Sequence, residues 1–344
     1  MKTILITGGA GFIGSNFVHF IANKYPDYRI RVLDALTYAG SMENLPPGMQ
    51  DINDERMQFW YGDVTNAELV NTLVAESDYV VHFAAETHVT RSIFDNRLFF
   101  ITDVLGTQTI ANAVLKAGDR VKRFIHISTS EVYGTAEAPL MDEEHTLKPA
   151  SPYASAKCGA DRLVYSYWST YGLPATIIRP FNNYGPRQHL EKVIPRFVTS
   201  MLLGEELTVH GTGAASRDFV HVEDTCRAVD LVLHADASVV DGEVFNVATA
   251  SDHSVAEIAQ SIAGLMGGGP KNIINNGERP GQVVRHTGDY AKIKHLLGWE
   301  PKVSWEDGLR ATIDWYSTNR ELWNTQLWMR HIPIITAAGK REYH

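Results

Sequence analysis

Two short stretches carry residue types that can move protons. In SPYASAK, Tyr153 and Lys157 stand one helical turn apart, with Ser151 placed as a side-chain cap and Pro152 at the first helical position. That spacing puts phenol and ammonium on one helix face. An ammonium beside a phenol lowers the phenol's pKa, toward a value at which it takes a proton from an alcohol near neutrality. In HISTSEVYGT, Thr129, Ser130 and Glu131 follow an apolar run at what reads as the end of a buried strand. Such side chains often serve only to satisfy a chain leaving the core. A carboxylate beside a transiently oxidised substrate can also act as general base on a carbon acid. YxxxK alone is common by chance, and a surface Tyr over a solvated Lys is its ordinary meaning.

What lifts the pair above that meaning is KTILITGGAGFIGSNF. Gly8, Gly11 and Gly14 form GxxGxxG between a strand-like run and a helix start, with Phe12 and Ile13 inside the motif. Glycines there permit a tight turn and close approach of backbone N–H groups to a pyrophosphate at the helix N-terminus. The next strand-like run, RVLD, ends on Asp34, twenty residues after Gly14. A carboxylate at that point accepts hydrogen bonds from both ribose hydroxyls and repels a 2′-phosphate, which favours NAD over NADP. Asp63 and Val64, after the third strand, are placed to meet the adenine, and Ala84 and Ala85, after the fourth, to line the pyrophosphate. Either segment also reads as an ordinary loop.

A parallel sheet is needed to bring these residues together, and the chain has its pattern. KTILIT, RIRVLD, MQFWYGD, YVVHFAA, RFIHIS and ATIIRP are short β-branched and aromatic runs. Helix-like stretches separate them, among them Ser15 to about Tyr25 and Thr102 to Ala117. The alternation predicts a doubly wound α/β Rossmann domain over residues 1–179, with 218–242 returning to it. After Pro180 the rhythm becomes irregular. FNNYGPRQHLEKVIP reads as a loop entering a helix, ELTVHG and FVHVED as strands, and a helix begins near Ser254. Residues 180–217 and 243–344 are therefore expected to form a smaller, discontinuous α/β domain on the substrate side. MGGGPKN, near residue 268, reads as a surface loop.

At 344 residues, 44% hydrophobic and 21% charged, the chain can bury the core of one large or two modest domains. Its 31 Lys and Arg against 40 Asp and Glu leave a formal charge of -9, which argues against a general nucleic-acid binder but not against a local basic pocket. Cys158 and Cys226 are too few for a disulfide framework and lack metal-like spacing, so a reducing, cytoplasmic compartment is expected. The N-terminus has no signal-peptide pattern, and no apolar run approaches a membrane span. The fourteen histidines form no metal-ligand cluster; His82 and His126, inside apolar strands, are expected to be satisfied core groups.

LTYAGSMENL (36–45), HFAAETHVTRSI (82–93), STSEVYG, YASAK, NNYGPRQHLEKVIP, SRDFVHVED and ERPGQVVRH together make the chain resemble the extended short-chain dehydrogenases that act on nucleotide sugars. Within them it resembles most the dTDP-glucose 4,6-dehydratases, over roughly residues 1–320. The resemblance implies a closed redox cycle on a nucleotide-diphosphate sugar with tightly held NAD. Tyr153, with Lys157 and Thr129, would take the proton of the sugar 4-hydroxyl while C4 gives hydride. Glu131 would then take the C5 proton, the 6-hydroxyl would leave as water, and hydride would return to C6. It further implies that Thr87, Asn182, Glu191 and Lys192 meet the sugar and diphosphate, that Arg217 grips the phosphates, and that Asn246 and Arg279 help near the nucleotide. A homodimer is also implied.

The chain departs from the resemblance at Ser130, where those dehydratases usually carry an Asp proposed to protonate the departing hydroxyl. Thr90 stands where they tend to have Asp, and Asp103 where the superfamily tends to have Asn. A serine hydroxyl is a poor proton donor beside a carboxylic acid. A 4-epimerase or UDP-glucuronate decarboxylase using the same C4 oxidation is therefore an alternative, and a non-catalytic Rossmann sensor a more distant one. The tail after residue 320, with Trp323 and Trp328, is expected to pack on its own domain.

Overall fold

In the computed structural model, which describes residues 1–51, 53–269, 273–276, 285–330, 333–335 and 341–343, the apolar runs become a parallel sheet. Its strands are β1 (Thr3–Thr7), β2 (Arg29–Asp34), β3 (Met57–Tyr61), β4 (Tyr79–His82), β5 (Arg123–Ile127), β6 (Ala175–Pro180) and, beyond β7 (Asn182–Tyr184), β8 (Leu207–His210) and β9 (Ser216–His221), β10 (Val244–Val247). The sheet is seven-stranded in the order β10-β6-β5-β4-β1-β2-β3. Successive residues of β1 point to opposite faces, and each face is covered. Ile4 and Ile6 pack with Phe17 and Ile21 of the helix Phe12–Lys24 and with Val229 and Val232 of the helix Val222–His234. Leu5 packs on the other side with Val70, Val74, Ile110 and Val164. The order reverses between β1 and β4, and a cleft opens there at the carboxyl ends of the strands.

β10 corrects the expected partition. It pairs with β6 as the sheet's last strand, from Val244↔Ile177 to Val247↔Pro180, so the return to the Rossmann sheet runs past residue 242 to Val247. The second unit holds β9 between β11 (Asp252–Ser254) and β13 (Arg285–His286), with β7 also paired to β9. FNNYGP is thus not wholly loop. Beside these, β8 pairs with β12 (Ile273–Asn276), and β14 (Pro333–Ile335) with β15 (Arg341–Tyr343). Ile194, Phe197, Ile258, Ile262, Leu309 and Tyr316, from the helices Val193–Leu203, Val255–Leu265 and Trp305–Thr318, form its core.

The helix expected from Thr102 begins at Arg97 and is wound as a π-turn over Phe100–Gly106 before Thr107–Ala117 continues it. The joined run Arg97–Arg120, 24 residues long, is apolar enough by length and composition to cross a membrane, which corrects the expectation that no such run exists. Much of it is core: Ile110, Ala111, Ala113 and Val114 are buried against the sheet. In the tail Trp323 is buried among the second unit's core residues, whereas Trp328 is 74% exposed. The glycine-rich segment near 268 falls partly outside the described residues.

Candidate active site

The cleft encloses about 930 Å³, within the usual range for small-molecule sites. Gly8, Gly11, Phe12, Ile13, Gly14, Asp34, Asp63, Val64, Ala84 and Ala85 all line it. Gly8 has φ +68, and a Cβ on it would stand 2.5 Å from the Ala84 nitrogen; one on Gly14 would stand 2.2 Å from the Gly8 carbonyl oxygen. No larger residue fits this turn. No side chain caps the helix that follows, so the N–H groups of its first turn stay available for an anion at its positive end. Asp34 receives the Ala10 N–H at 2.9 Å and the Leu36 N–H at 2.8 Å, which fixes its carboxylate at the cleft edge while leaving lone pairs for further donors. A glycine cradle beside a fixed acid suits a dinucleotide with free ribose hydroxyls. A 2′-phosphate would meet like charge.

Thr129, Glu131, Tyr153 and Lys157 line the same cleft. Ser151 caps the helix Pro152–Tyr171, whose first turns hold Tyr153 and Lys157. The ammonium is not spent on the phenol: Lys157 Nζ donates to the Ile127 carbonyl at 2.8 Å. Burial pushes the Tyr153 hydroxyl well up, Asp103 adds to this, and a hydrogen bond with Thr129 opposes it. The expected lowering of the phenol by Lys157 is not found: burial sets the direction, and the opposing influence comes from Thr129. Burial likewise lowers Lys157, against the attraction of Asp103 and Asp161.

Ser130 does not fit the catalytic place expected for it. Its side chain is buried outside the cleft, with Oγ 3.5 Å from His286 Nδ1, because the 3-10 turn Ser130–Tyr133 points successive residues different ways. Asn246 is a second correction. It is fully buried in β10, accepts the Tyr133 O–H at 2.7 Å and donates to the Met141 carbonyl at 2.9 Å, so it braces the interior and does not line the cleft. Arg279 lies outside the described residues.

Thr87, Asn182, Glu191, Lys192 and Arg217 line the cleft as well. Glu191 is nearly inaccessible. Burial alone would raise its carboxyl, but Lys192 Nζ at 3.2 Å and His88 and His189, each at 3.6 Å, together hold it below its ordinary value. Tyr38 O–H reaches the same carboxylate at 3.3 Å and Thr87 Oγ1 at 3.2 Å. Sequence reasoning missed Tyr38, His88 and His189 as cleft residues; the signal for His88 and His189 was their nearness to Thr87 and Glu191, and for Tyr38 its place in LTYAGSMENL. Beneath the site His82 is satisfied by Thr7 and Thr107, at 2.6 and 3.0 Å. His126 is not. Neither of its ring nitrogens finds a partner among the described residues, and burial with the Lys157 charge keeps the ring neutral.

A doubly wound sheet whose switch point opens on a glycine turn and a tyrosine–lysine helix is the architecture of the extended short-chain dehydrogenases. Within that class the chain belongs to the GDP-mannose 4,6 dehydratase family, whose profile matches residues 5–312. It is 45% identical over 313 residues to the low-salt glycan biosynthesis protein Agl12 of Haloferax volcanii, covering 91% of this chain and 98% of that one. It is 41% identical over 324 residues to the dTDP-glucose 4,6-dehydratase of Streptomyces niveus, covering 93% and 94%. Among solved structures, the dTDP-glucose 4,6-dehydratase DesIV of Streptomyces venezuelae, with NAD and TYD bound, is similar at a TM-score of 0.88 and 41% identity, over 94% of this chain and 100% of that one.

Proposed function

We infer that the chain is an NAD-dependent nucleotide-sugar 4,6-dehydratase, a hydro-lyase converting an NDP-hexose to an NDP-4-keto-6-deoxyhexose, with dTDP-glucose as the first substrate to test. The observation that carries this reading is that Thr129, Glu131 and Tyr153 line one cleft together with Glu191, Lys192 and Arg217. The glycine turn and Asp34 would hold NAD, which supplies hydride-transfer chemistry: hydride leaves C4 of the sugar and later returns to C6, where the C5=C6 bond opens and C5 takes a proton from solvent. Tyr153 takes the 4-hydroxyl proton. Thr129 hydrogen-bonds the phenol, and Lys157, anchored on the Ile127 carbonyl, lines the same cleft. The 4-keto group acidifies C5, Glu131 removes that proton, the C6–O bond breaks and a C5=C6 bond forms. Because Ser130 faces away, Glu131 is the group placed to pass the same proton to the departing oxygen, so that water leaves. Arg217 and Lys192 suit the diphosphate, a local anion site in an acidic chain.

The mass spectrum of products from a panel of dTDP-, UDP- and GDP-hexoses and UDP-glucuronate tests this. Loss of one water supports the reading; an unchanged mass or loss of carbon dioxide would move it to an epimerase or a decarboxylase. We place the enzyme in the cytoplasm, with support from its two unpaired cysteines. We also propose a homodimer. Phe100 and Leu105 on the run Arg97–Arg120 and Tyr165 on the adjacent helix Pro152–Tyr171 are 42%, 51% and 41% exposed, a set of large apolar groups on two packed helices.

A further inference from the structure

His286 sits on β13 in the small sheet, yet its ring is buried against the turn that carries Glu131. Its Nε2 lies 2.6 Å from the Gly134 carbonyl oxygen. A carbonyl only accepts, so Nε2 carries the hydrogen and Nδ1 is left as an acceptor. Nδ1 faces Ser130 Oγ at 3.5 Å, making the serine hydroxyl the donor of a long contact. One imidazole therefore touches the first residue of the turn Ser130–Tyr133 and the glycine that closes it. Between them stands Glu131. Gly134 has φ +74, and a Cβ there would be 2.1 Å from the Lys148 carbonyl oxygen, so the turn's exit has one available path. The charged groups felt by the ring are Glu131 on the turn, Arg217 on β9 and His145 on the loop before Pro152, while Phe181 packs at 5.7 Å. His286 is also the register partner of Arg217.

We propose that His286 is a positioning residue that fixes the Glu131 turn for the C5 elimination, through Gly134 and Ser130. The proposal rests on the dehydratase reading. A carboxylate that takes a proton from C5 and gives it to the neighbouring oxygen must keep both atoms in reach, whereas Tyr153 meets a single hydroxyl from a separate helix. Loosening the turn therefore weakens elimination and spares oxidation. Pairing with Arg217 adds a second consequence: the strand that offers an anion-binding guanidinium is hydrogen-bonded to the strand that steadies the base. Binding energy from a remote diphosphate is then available to hold Glu131 in place.

The test follows two phases with dTDP-glucose, or with whichever panel hexose the native enzyme dehydrates. Reduced cofactor is read at 340 nm in a single turnover, and deuterium entering C5 from heavy water is read by mass spectrometry. His286→Ala should form reduced cofactor within about twofold of the native rate, accumulate it, and exchange C5 about 10–100-fold more slowly. His286→Gln, which keeps an N–H able to reach the Gly134 carbonyl, should recover most of the exchange. If His286→Ala does not fold, His286→Leu fills the ring's space without the donor and is read the same way. Equal slowing of both phases, or unchanged C5 exchange, overturns the role of His286. A native enzyme that releases water from no nucleotide hexose overturns the dehydratase reading instead.

Discussion

At the scale of single residues, Asp103 is the departure with the clearest measurable consequence. Its Oδ1 accepts the Glu86 N–H at 2.8 Å, its Oδ2 has no hydrogen-bond partner among the described residues, and it is 1% exposed. Burial raises its carboxyl from 3.8 to about 7; Lys157 and the Glu86 N–H oppose that rise, and the Glu86 carboxylate adds to it. In the unfolded chain the group ionises near the ordinary value, so between these pH values the folded state alone holds the proton. Stability therefore falls as pH rises through that window, and the full cost stands above pH 7. Asp103→Asn keeps the acceptor for Glu86 and cannot ionise. Its melting temperature should match the native protein's near pH 4 and exceed it above pH 7, by the equivalent of about 2–4 kcal/mol. A difference that does not grow with pH would show that Asp103 is ionised in the fold. Tyr153→Phe isolates the other end of the site: it removes the phenol oxygen proposed to take the 4-hydroxyl proton, and formation of reduced cofactor should drop at least about 100-fold. Turnover unchanged by that substitution would remove Tyr153 from the chemistry.

The elements explain what could be read in the sequence and what could not. A glycine turn after β1 is legible because backbone contact leaves no alternative: Gly14 has 2.2 Å where a methyl group would need far more. Gly14→Ala should therefore strip NAD from the purified protein, seen as loss of the 260 nm cofactor absorbance on denaturation, while Phe12→Ala should weaken binding only a few-fold. The YxxxK helix and the Asp34 strand end are legible for a similar reason, since period and capping fix where a side chain points. The π-turn Phe100–Gly106 is not, because its hydrogen bonds slip by one residue without changing the apolar pattern. That slip is part of how Asp103 comes to face the Glu86 N–H. Ser130 failed for a matching reason. Its type signalled chemistry, but a 3-10 turn turns the side chain toward His286, and that partner lies 156 positions along the chain. Asn246 misled because polar residues at strand ends serve ligands or interiors alike; only the contacts with Tyr133 and Met141 tell which.

For the molecule as a whole, two helical segments join the site to the proposed dimer face. The run Arg97–Arg120 brings Asp103 to the active site on one side and exposes Phe100 and Leu105 on another; the helix Pro152–Tyr171 holds Tyr153 and Lys157 inward and Tyr165 outward. Large apolar groups at 42%, 51% and 41% exposure on two packed helices are costly to leave in water, and a two-fold pairing of these helices would cover them in both copies at once. Sedimentation of the native protein should then give twice the 38.3 kDa chain mass, and Leu105→Asp with Tyr165→Asp should return it to one chain. The same double variant should lower activity several-fold with substrate KM little changed, since Lys192 and Arg217, the residues proposed to grip the diphosphate, come from other elements. A native protein that sediments at 38.3 kDa would remove the dimer. A monomeric variant with full activity would keep the dimer and sever it from catalysis, leaving the packing of the two helices on the sheet as sufficient support for Tyr153, Lys157 and Asp103.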